Sequence, residues 1–215
     1  MKVLVTGGAG FIGSHVIHEL LKRGDTVVSI DNMNEYYDPT LKRARLARFK
    51  DKIEHYEIDI ADTEAVGKIF ENHSFDAVCH LAAQAGVRYS LQNPFVYGQT
   101  NYIGTLNIFE YAKRQKVNHV VFASTSSVYG LNEKMPFKED DPVSTPISVY
   151  SASKLATELL AHSYHHLFGM NLSALRFFNV YGPWGRPDNA TWLFTKAIVA
   201  DEPIKVFNSG DMKRD

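Results

Sequence analysis

Six short apolar runs recur along the chain: Lys2–Thr6, Thr26–Ile30, Ile53–Ile58, Ala77–His80, His119–Ala123 and Leu172–Arg176. They are rich in Val, Ile and Phe and read as buried strands. Helical spacing fills the stretches between them. Ile12, Val16, Ile17, Leu20 and Leu21 follow the 3-4 pattern and stop at Gly24. Val66, Ile69 and Phe70 mark a short helix. Ile103, Leu106, Ile108, Phe109 and Ala112 mark a long one, and Leu155, Leu159, Leu160 and Leu167 another, ending near Gly169. Short apolar strands separated by helices predict a parallel sheet covered on both faces. Right-handed crossovers make such a sheet doubly wound. A length of 215 residues fits one domain of this kind and not two full ones.

Composition removes several function classes. Hydrophobic residues make up 45% and charged residues 22%, which argues against a disordered chain. The formal net charge of −1 argues against a broadly basic nucleic-acid binder. No targeting segment is visible, and no run approaches the length of a membrane span. The single cysteine, Cys79, can form no intrachain disulfide, so a reducing compartment and a cytoplasmic location are expected. Cys79 lies late in an apolar strand and reads as an inert buried thiol. His162, His165 and His166 lack the intervening glutamate of a zinc helix, and no metal is expected.

Two loops are long: Asn132 to Ser148, with three prolines, and Gly182 to Ala190, with two. Loops of this length in a compact domain are often functional. The basic run 42–50 reads as a solvated helix face, with Leu41, Ala44 and Phe49 supplying its buried side. A cofactor or substrate phosphate is the alternative reading.

The first strand leads directly into Thr6-Gly7-Gly8-Ala9-Gly10-Phe11-Ile12-Gly13, and a helix follows. Glycines there permit a tight turn and let N–H groups approach a diphosphate. The helix amino end adds partial positive charge. Gly8, Gly10 and Gly13 fit one dinucleotide spacing; Gly7, Gly10 and Gly13 fit another. Asp31 closes the second strand 18 residues past Gly13, where a carboxylate accepts from ribose hydroxyls and repels a 2′-phosphate. No arginine adjoins it, which favours NAD over NADP.

Ser124-Thr125-Ser126-Ser127 follows the fifth strand, where hydroxyls face the ligand crevice of an open sheet. Tyr150 and Lys154 then stand at i, i+4 on one helical face. A phenol is a poor base at neutral pH; a nearby ammonium and an oxidised nicotinamide both favour the phenolate. The spacing therefore points to proton transfer.

Taken together, these motifs resemble the extended short-chain dehydrogenase/reductase family, in particular its nucleotide-sugar epimerases. Asp31–Asp38, His80–Ser90, Ser126–Asn132 and Gly182–Asp188 are most similar to the UDP-glucuronate 4-epimerases. The resemblance implies a Rossmann-like doubly wound α/β sheet over residues 1–178. Residues 179–215 would begin a substrate-binding part that is incomplete beside family members of more than about 300 residues. It also implies NAD as cofactor, a UDP-sugar substrate and a homodimer formed through the helices near Val96–Lys113 and Tyr150–Phe168.

Residue by residue, the resemblance gives Tyr150 as the base, Lys154 as its partner on the nicotinamide ribose and Thr125 as the catalytic hydroxyl. Gly7, Gly10, Phe11, Ile12, Gly13, Asp31, Asn32, Asp59, Ile60, Ala82, Ala83 and Asn101 would line the cofactor. Arg88, Ser126, Ser127, Asn179 and Arg186 would face the substrate. Asn179 departs from the threonine of glucuronate epimerases towards the galactose type, and Asn189 replaces a common methionine. The aromatic group Phe177, Phe178, Tyr181 and Trp184 could stack a uracil or pack internally. The expected activity is epimerisation of UDP-glucuronate through a 4-keto sugar. The alternatives are a UDP-glucose 4-epimerase, a UDP-glucuronate decarboxylase, or an NAD-binding module without turnover.

Overall fold

The computed structural model describes residues 1–204, 206 and 208–211. The end of the 179–215 segment assigned to substrate binding, residues 212–215, lies outside the described residues. The sheet is parallel and six-stranded, in the order β3-β2-β1-β4-β5-β6. Its strands are β1 (Lys2–Thr6), β2 (Thr26–Asp31), β3 (Glu54–Glu57), β4 (Ala77–His80), β5 (His119–Thr125) and β6 (Leu172–Phe177). The order reverses between β1 and β4, and that reversal opens a crevice at the carboxyl ends of the strands. The expected Rossmann-like sheet is therefore the observed one.

The helices are α1 (Phe11–Arg23), α2 (Pro39–Ala47), α3 (Thr63–Asn72), α4 (Tyr89–Gln92), α5 (Gly104–Gln115), α6 (Val149–Phe168) and α7 (Ala190–Val199). Local chemistry explains their limits. Asp38 caps α2 by accepting from Thr40 N–H, and Pro39 opens the helix. Ser148 and Ser151 form a reciprocal capping box at the start of α6. A π-helical turn, Tyr97–Ile103, leads into α5 and was not legible in the spacing.

The core lies on both sides of the sheet. One side packs Leu4, Val28, Ile30, Phe122 and Val120 against Val66, Ile108, Phe109 and Tyr164 of the helices. The other packs Val3, Val5 and Val27 against Ile17 and Phe49. α2 corrects the sequence reading. Its buried residues are Lys42 and Arg45, whereas Ala44 is exposed. The two cations turn inward because polar acceptors wait there, not because the helix lacks an apolar face. α7 was not expected, and none of its residues is buried. No helix among the described residues is long and apolar enough to cross a membrane.

Candidate functional site

β1 enters the glycine turn at Gly7, whose φ of +70° favours glycine. Gly7 N–H donates to the Ile30 carbonyl at 2.7 Å, and Gly10 N–H closes the turn on the Gly7 carbonyl at 2.9 Å. A Cβ at Gly13 would lie 2.1 Å from that same oxygen, and one at Gly7 would lie 2.7 Å from the Ala82 nitrogen. Positions 7, 10 and 13 therefore build the turn. Gly8 faces the sheet instead, where a Cβ would run into Ser29 Oγ. α1 starts with Gly10 as its cap, no capping side chain and no acidic residue in its first turn. Its amino end is thus presented bare to the crevice, beside half-buried Ile12 and buried Phe11. This cradle fits the diphosphate of a dinucleotide.

Asp31 lies buried at the end of β2. Among the described residues, both of its hydrogen bonds fall on Oδ1, from Met33 N–H at 2.9 Å and Lys42 Nζ at 3.2 Å. A ribose hydroxyl would meet Oδ2. No arginine adjoins Asp31 in sequence, but α2 brings a lysine to it in space. Lys42 also donates to Asn34 Oδ1 at 3.1 Å, so its charge is already engaged. Asn32 donates to Asp59 Oδ2 at 2.8 Å, which sets those two side by side at the rim. Ile60 belongs to the core, packed against Gly104.

The floor of the crevice is a hydrogen-bonded relay. Thr6 Oγ1 accepts from Leu81 N–H at 3.1 Å and Ala82 N–H at 3.0 Å. Its own proton therefore goes to His80 Nδ1, 2.7 Å away. His80 Nε2 then donates to Thr105 Oγ1 at 3.0 Å, and Thr105 donates to the Asn101 carbonyl at 2.5 Å. The network thus dictates a neutral His80 with its proton on Nε2. Burial, helped by the Lys154 charge, pushes the His80 pKa down to about 3. Asn101 continues the chain. Its side chain holds both the N–H and the carbonyl of Gln84 and donates to Ser153 Oγ at 2.9 Å. Ser153 Oγ donates to the Tyr150 carbonyl at 2.8 Å. Ala82, beside Gly7, and half-buried Ala83 lie on this floor.

Tyr150 and Lys154 share a face of α6 as expected, but at different depths. Tyr150 is half-buried and Lys154 is 3% exposed. Burial raises the Tyr150 pKa; a hydrogen bond with Thr125 and the charge of Arg186 act the other way. Arg186 thus adds a cation to the neighbourhood of the phenol, beside the Lys154 that the i, i+4 spacing places on the same helical face. Burial pushes Lys154 down to about 8, against the pull of Glu158. Thr125 ends β5 and accepts from Ser127 N–H at 3.2 Å; Ser126 and Ser127 are half-buried in the following turn. Ser124 corrects the expectation of four hydroxyls facing the crevice. It donates to Glu158, which also takes Arg176 through Nε at 3.1 Å and Nη2 at 2.9 Å.

Of the expected substrate contacts, Ser126 and Ser127 follow Thr125 directly and Arg186 comes near Tyr150. Arg186 pairs with Asp188 at 3.0 and 2.5 Å, and Tyr36 donates to the same carboxylate at 3.1 Å. Arg186 also borders an open cavity of about 520 Å³ shared with Asn189, Trp192 and Lys196. Arg88 is exposed at the start of α4, and Asn179 is exposed just past β6. Tyr181 is exposed, Phe178 lies near Tyr129 and Phe137, and Trp184 lies under Arg48. Burial pushes the Cys79 thiol up to about 11, as befits an inert thiol.

Tyr36, Asp188, His80, Lys42 and Arg45 belong to this neighbourhood and were not singled out from sequence. For Lys42 and Arg45 a signal existed: an i, i+3 spacing places both on one helical face.

Residues 3–215 match the model of the NAD dependent epimerase/dehydratase family. The chain is 51% identical over 216 residues to an uncharacterized 37.6 kDa protein of Escherichia coli O111:H-, covering 100% of this chain and 65% of that one. It is 50% identical to UDP-glucuronate 4-epimerase 4 of Arabidopsis thaliana, covering 100% of this chain and 50% of the relative. The chain thus spans between half and two thirds of the length of these relatives. A crystal structure of the UDP-glucuronic acid 4-epimerase of Bacillus cereus, in complex with UDP-glucuronic acid and NAD, superposes with a TM-score of 0.91 at 37% identity. The superposition covers 100% of this chain and 68% of that one.

Proposed function

Because the chain belongs to the NAD dependent epimerase/dehydratase family, we propose that it is built for NAD-dependent 4-epimerisation of a UDP-sugar, UDP-glucuronate to UDP-galacturonate. The observation that carries this reading is the Tyr150–Thr125 hydrogen bond at the carboxyl edge of the sheet, the edge where β1 enters the glycine turn. When bound, NAD supplies reversible two-electron oxidation at C4 of the sugar. Gly7, Gly10 and Gly13 would admit its diphosphate, with Phe11 and Ile12 opening the helix behind it. Asp31 and Asn32 would receive the adenosine ribose, Asp59 and Ile60 would border the adenine, and Ala82, Ala83 and Asn101 would form the floor. Lys154 would hold the nicotinamide ribose.

Tyr150 Oη removes the C4 hydroxyl proton and later returns it. Thr125 donates to the C4 oxygen as charge develops on it, with Ser126 and Ser127 as further donors. The ketone then stands β to the sugar carboxylate, so the site must hold that carboxylate out of the geometry for CO₂ loss. We assign that task to Arg186, with Arg88 and Asn179 serving the substrate from the rim. Residues 179–215 start the substrate-binding part, and a homodimer forms through α5 and α6. We place the reaction in the cytoplasm, in keeping with the single cysteine.

The test is incubation with UDP-glucuronate and NAD⁺, with UDP-galacturonate as the expected product. UDP-pentose as the main product would assign a decarboxylase, and turnover of UDP-glucose alone a galactose-type epimerase. NAD binding without product from any UDP-hexose or hexuronate would mark a binding module.

A further inference from the structure

Arg45 is fully buried on α2, and its guanidinium spends all five N–H donors. Nε donates to the Trp184 carbonyl at 3.1 Å, and Nη2 donates to the same oxygen at 2.7 Å and to the Gly185 carbonyl at 3.1 Å. Nη1 donates to the Ala9 carbonyl at 3.2 Å and to the Tyr37 hydroxyl at 2.6 Å. One planar fork therefore joins the glycine turn to the loop that leads into Arg186. None of the four acceptors is a carboxylate, so among the described residues no ion pair cancels the positive charge beside the turn.

The loop needs such a hold. Trp184 adopts a φ of +62°, a left-handed conformation costly for a bulky residue. Its own carbonyl is the one that takes two Arg45 bonds. Two weaker ties act in the same direction: His15 Nε2 reaches the Pro183 carbonyl at 2.9 Å, and Arg48 lies 5.3 Å over the Trp184 ring.

We propose that Arg45 is a positioning residue that links occupancy of the glycine turn to the placement of the Trp184–Gly185 backbone and hence of Arg186. The linkage rests on the reading that the turn holds a dinucleotide diphosphate. An anion in the cradle draws on the uncancelled guanidinium charge, and the same rigid fork fixes the loop. Lysine offers three rotatable donors on one atom and cannot reproduce that geometry.

The experiment uses the 215-residue chain with Trp192→Phe, which leaves Trp184 as its single tryptophan. Acrylamide quenching of Trp184 reads the loop without ligand, and calorimetric titration with ADP-ribose reads the turn. Arg45→Lys is expected to raise quenching and to weaken ADP-ribose binding roughly fivefold or more, the scale of ordinary coupling between sites. A merely structural role would lower the urea midpoint and leave the affinity of the folded protein unchanged; that result overturns the linkage. Unchanged quenching overturns the hold on the loop. If Arg45→Lys does not fold, hydrogen exchange on the parent chain decides: saturating ADP-ribose should slow the amides of Gly182, Trp184, Gly185 and Arg186, and unchanged exchange overturns the proposal. A parent chain that binds no ADP-ribose refutes the cofactor reading and the linkage together, while the ligand-free quenching still reports separately on the hold.

Discussion

His80 sits between two threonine hydroxyls whose other bonds leave it one tautomer. Protonation would put a second N–H on the side where Thr6 already donates, inside a buried site. Burial first, and the Lys154 charge second, lower its pKa from 6.5 to about 3. The unfolded chain binds the proton first, so the contribution of His80 to stability is full above pH 6.5 and is lost as pH falls towards 3. Urea unfolding across this window should show a steep acid loss that is shallower in His80→Gln, whose amide can both accept and donate. Equal slopes in the two proteins would remove His80 from the acid limb. Residues of this kind mark the edge of sequence reading. Tyr150 and Thr125 stand out because phenol and hydroxyl chemistry has a recognisable spacing. His80 looks like the last residue of an apolar strand, and only the Thr6–His80 register across β1 and β4 reveals its partners.

Elements were legible where a side-chain pattern sets them. The strands follow the apolar runs within a residue or two; in β1 and β2 burial on both faces demands continuous apolar sequence, whereas the edge strand β3 is polar and partly exposed. α2 shows the opposite case. Its polar buried face cannot be told from a solvated one by spacing alone, since the acceptors come from the glycine turn and the loop near residue 184. The glycine turn is the element on which the site depends most. Gly13→Ala puts a methyl 2.1 Å from the Gly7 carbonyl oxygen, with only backbone to move. It should cost about 1–3 kcal/mol by overpacking and remove measurable ADP-ribose binding. Gly24→Ala, with nothing within 4 Å of its Cβ but a φ of +89°, should strain the α1 terminus and leave binding intact. Thermal melts and calorimetry on the two variants separate stability from the cradle; binding retained by Gly13→Ala would contradict the close approach.

At the scale of the whole molecule, the parallel sheet brings residues far apart in the chain to one edge: Gly7 after β1, Asp31 at the end of β2, Ala82 after β4 and Thr125 at the end of β5. The flank formed by α5 and α6 leaves Leu159 63% exposed in mid-helix, with Leu167 and Phe168 further along. A second copy packed on that flank would bury them. Leu159→Glu should therefore shift sedimentation from dimer to monomer with little change in the far-ultraviolet spectrum, and a monomeric parent chain would exclude this interface. The amino-acid sequence by itself determined the doubly wound class, the position of the glycine turn and the helical face that Tyr150 and Lys154 share. These depend on periodicity and on motifs contained in single segments. Tertiary structure alone decided which glycines close the turn, that Ser124 turns away to Glu158, that Arg186 comes near Tyr150, and that Arg45 lies inside. The last three depend on partners more than 25 residues away, and a hydrogen-bonding partner supplied by another segment leaves no periodic trace in the sequence.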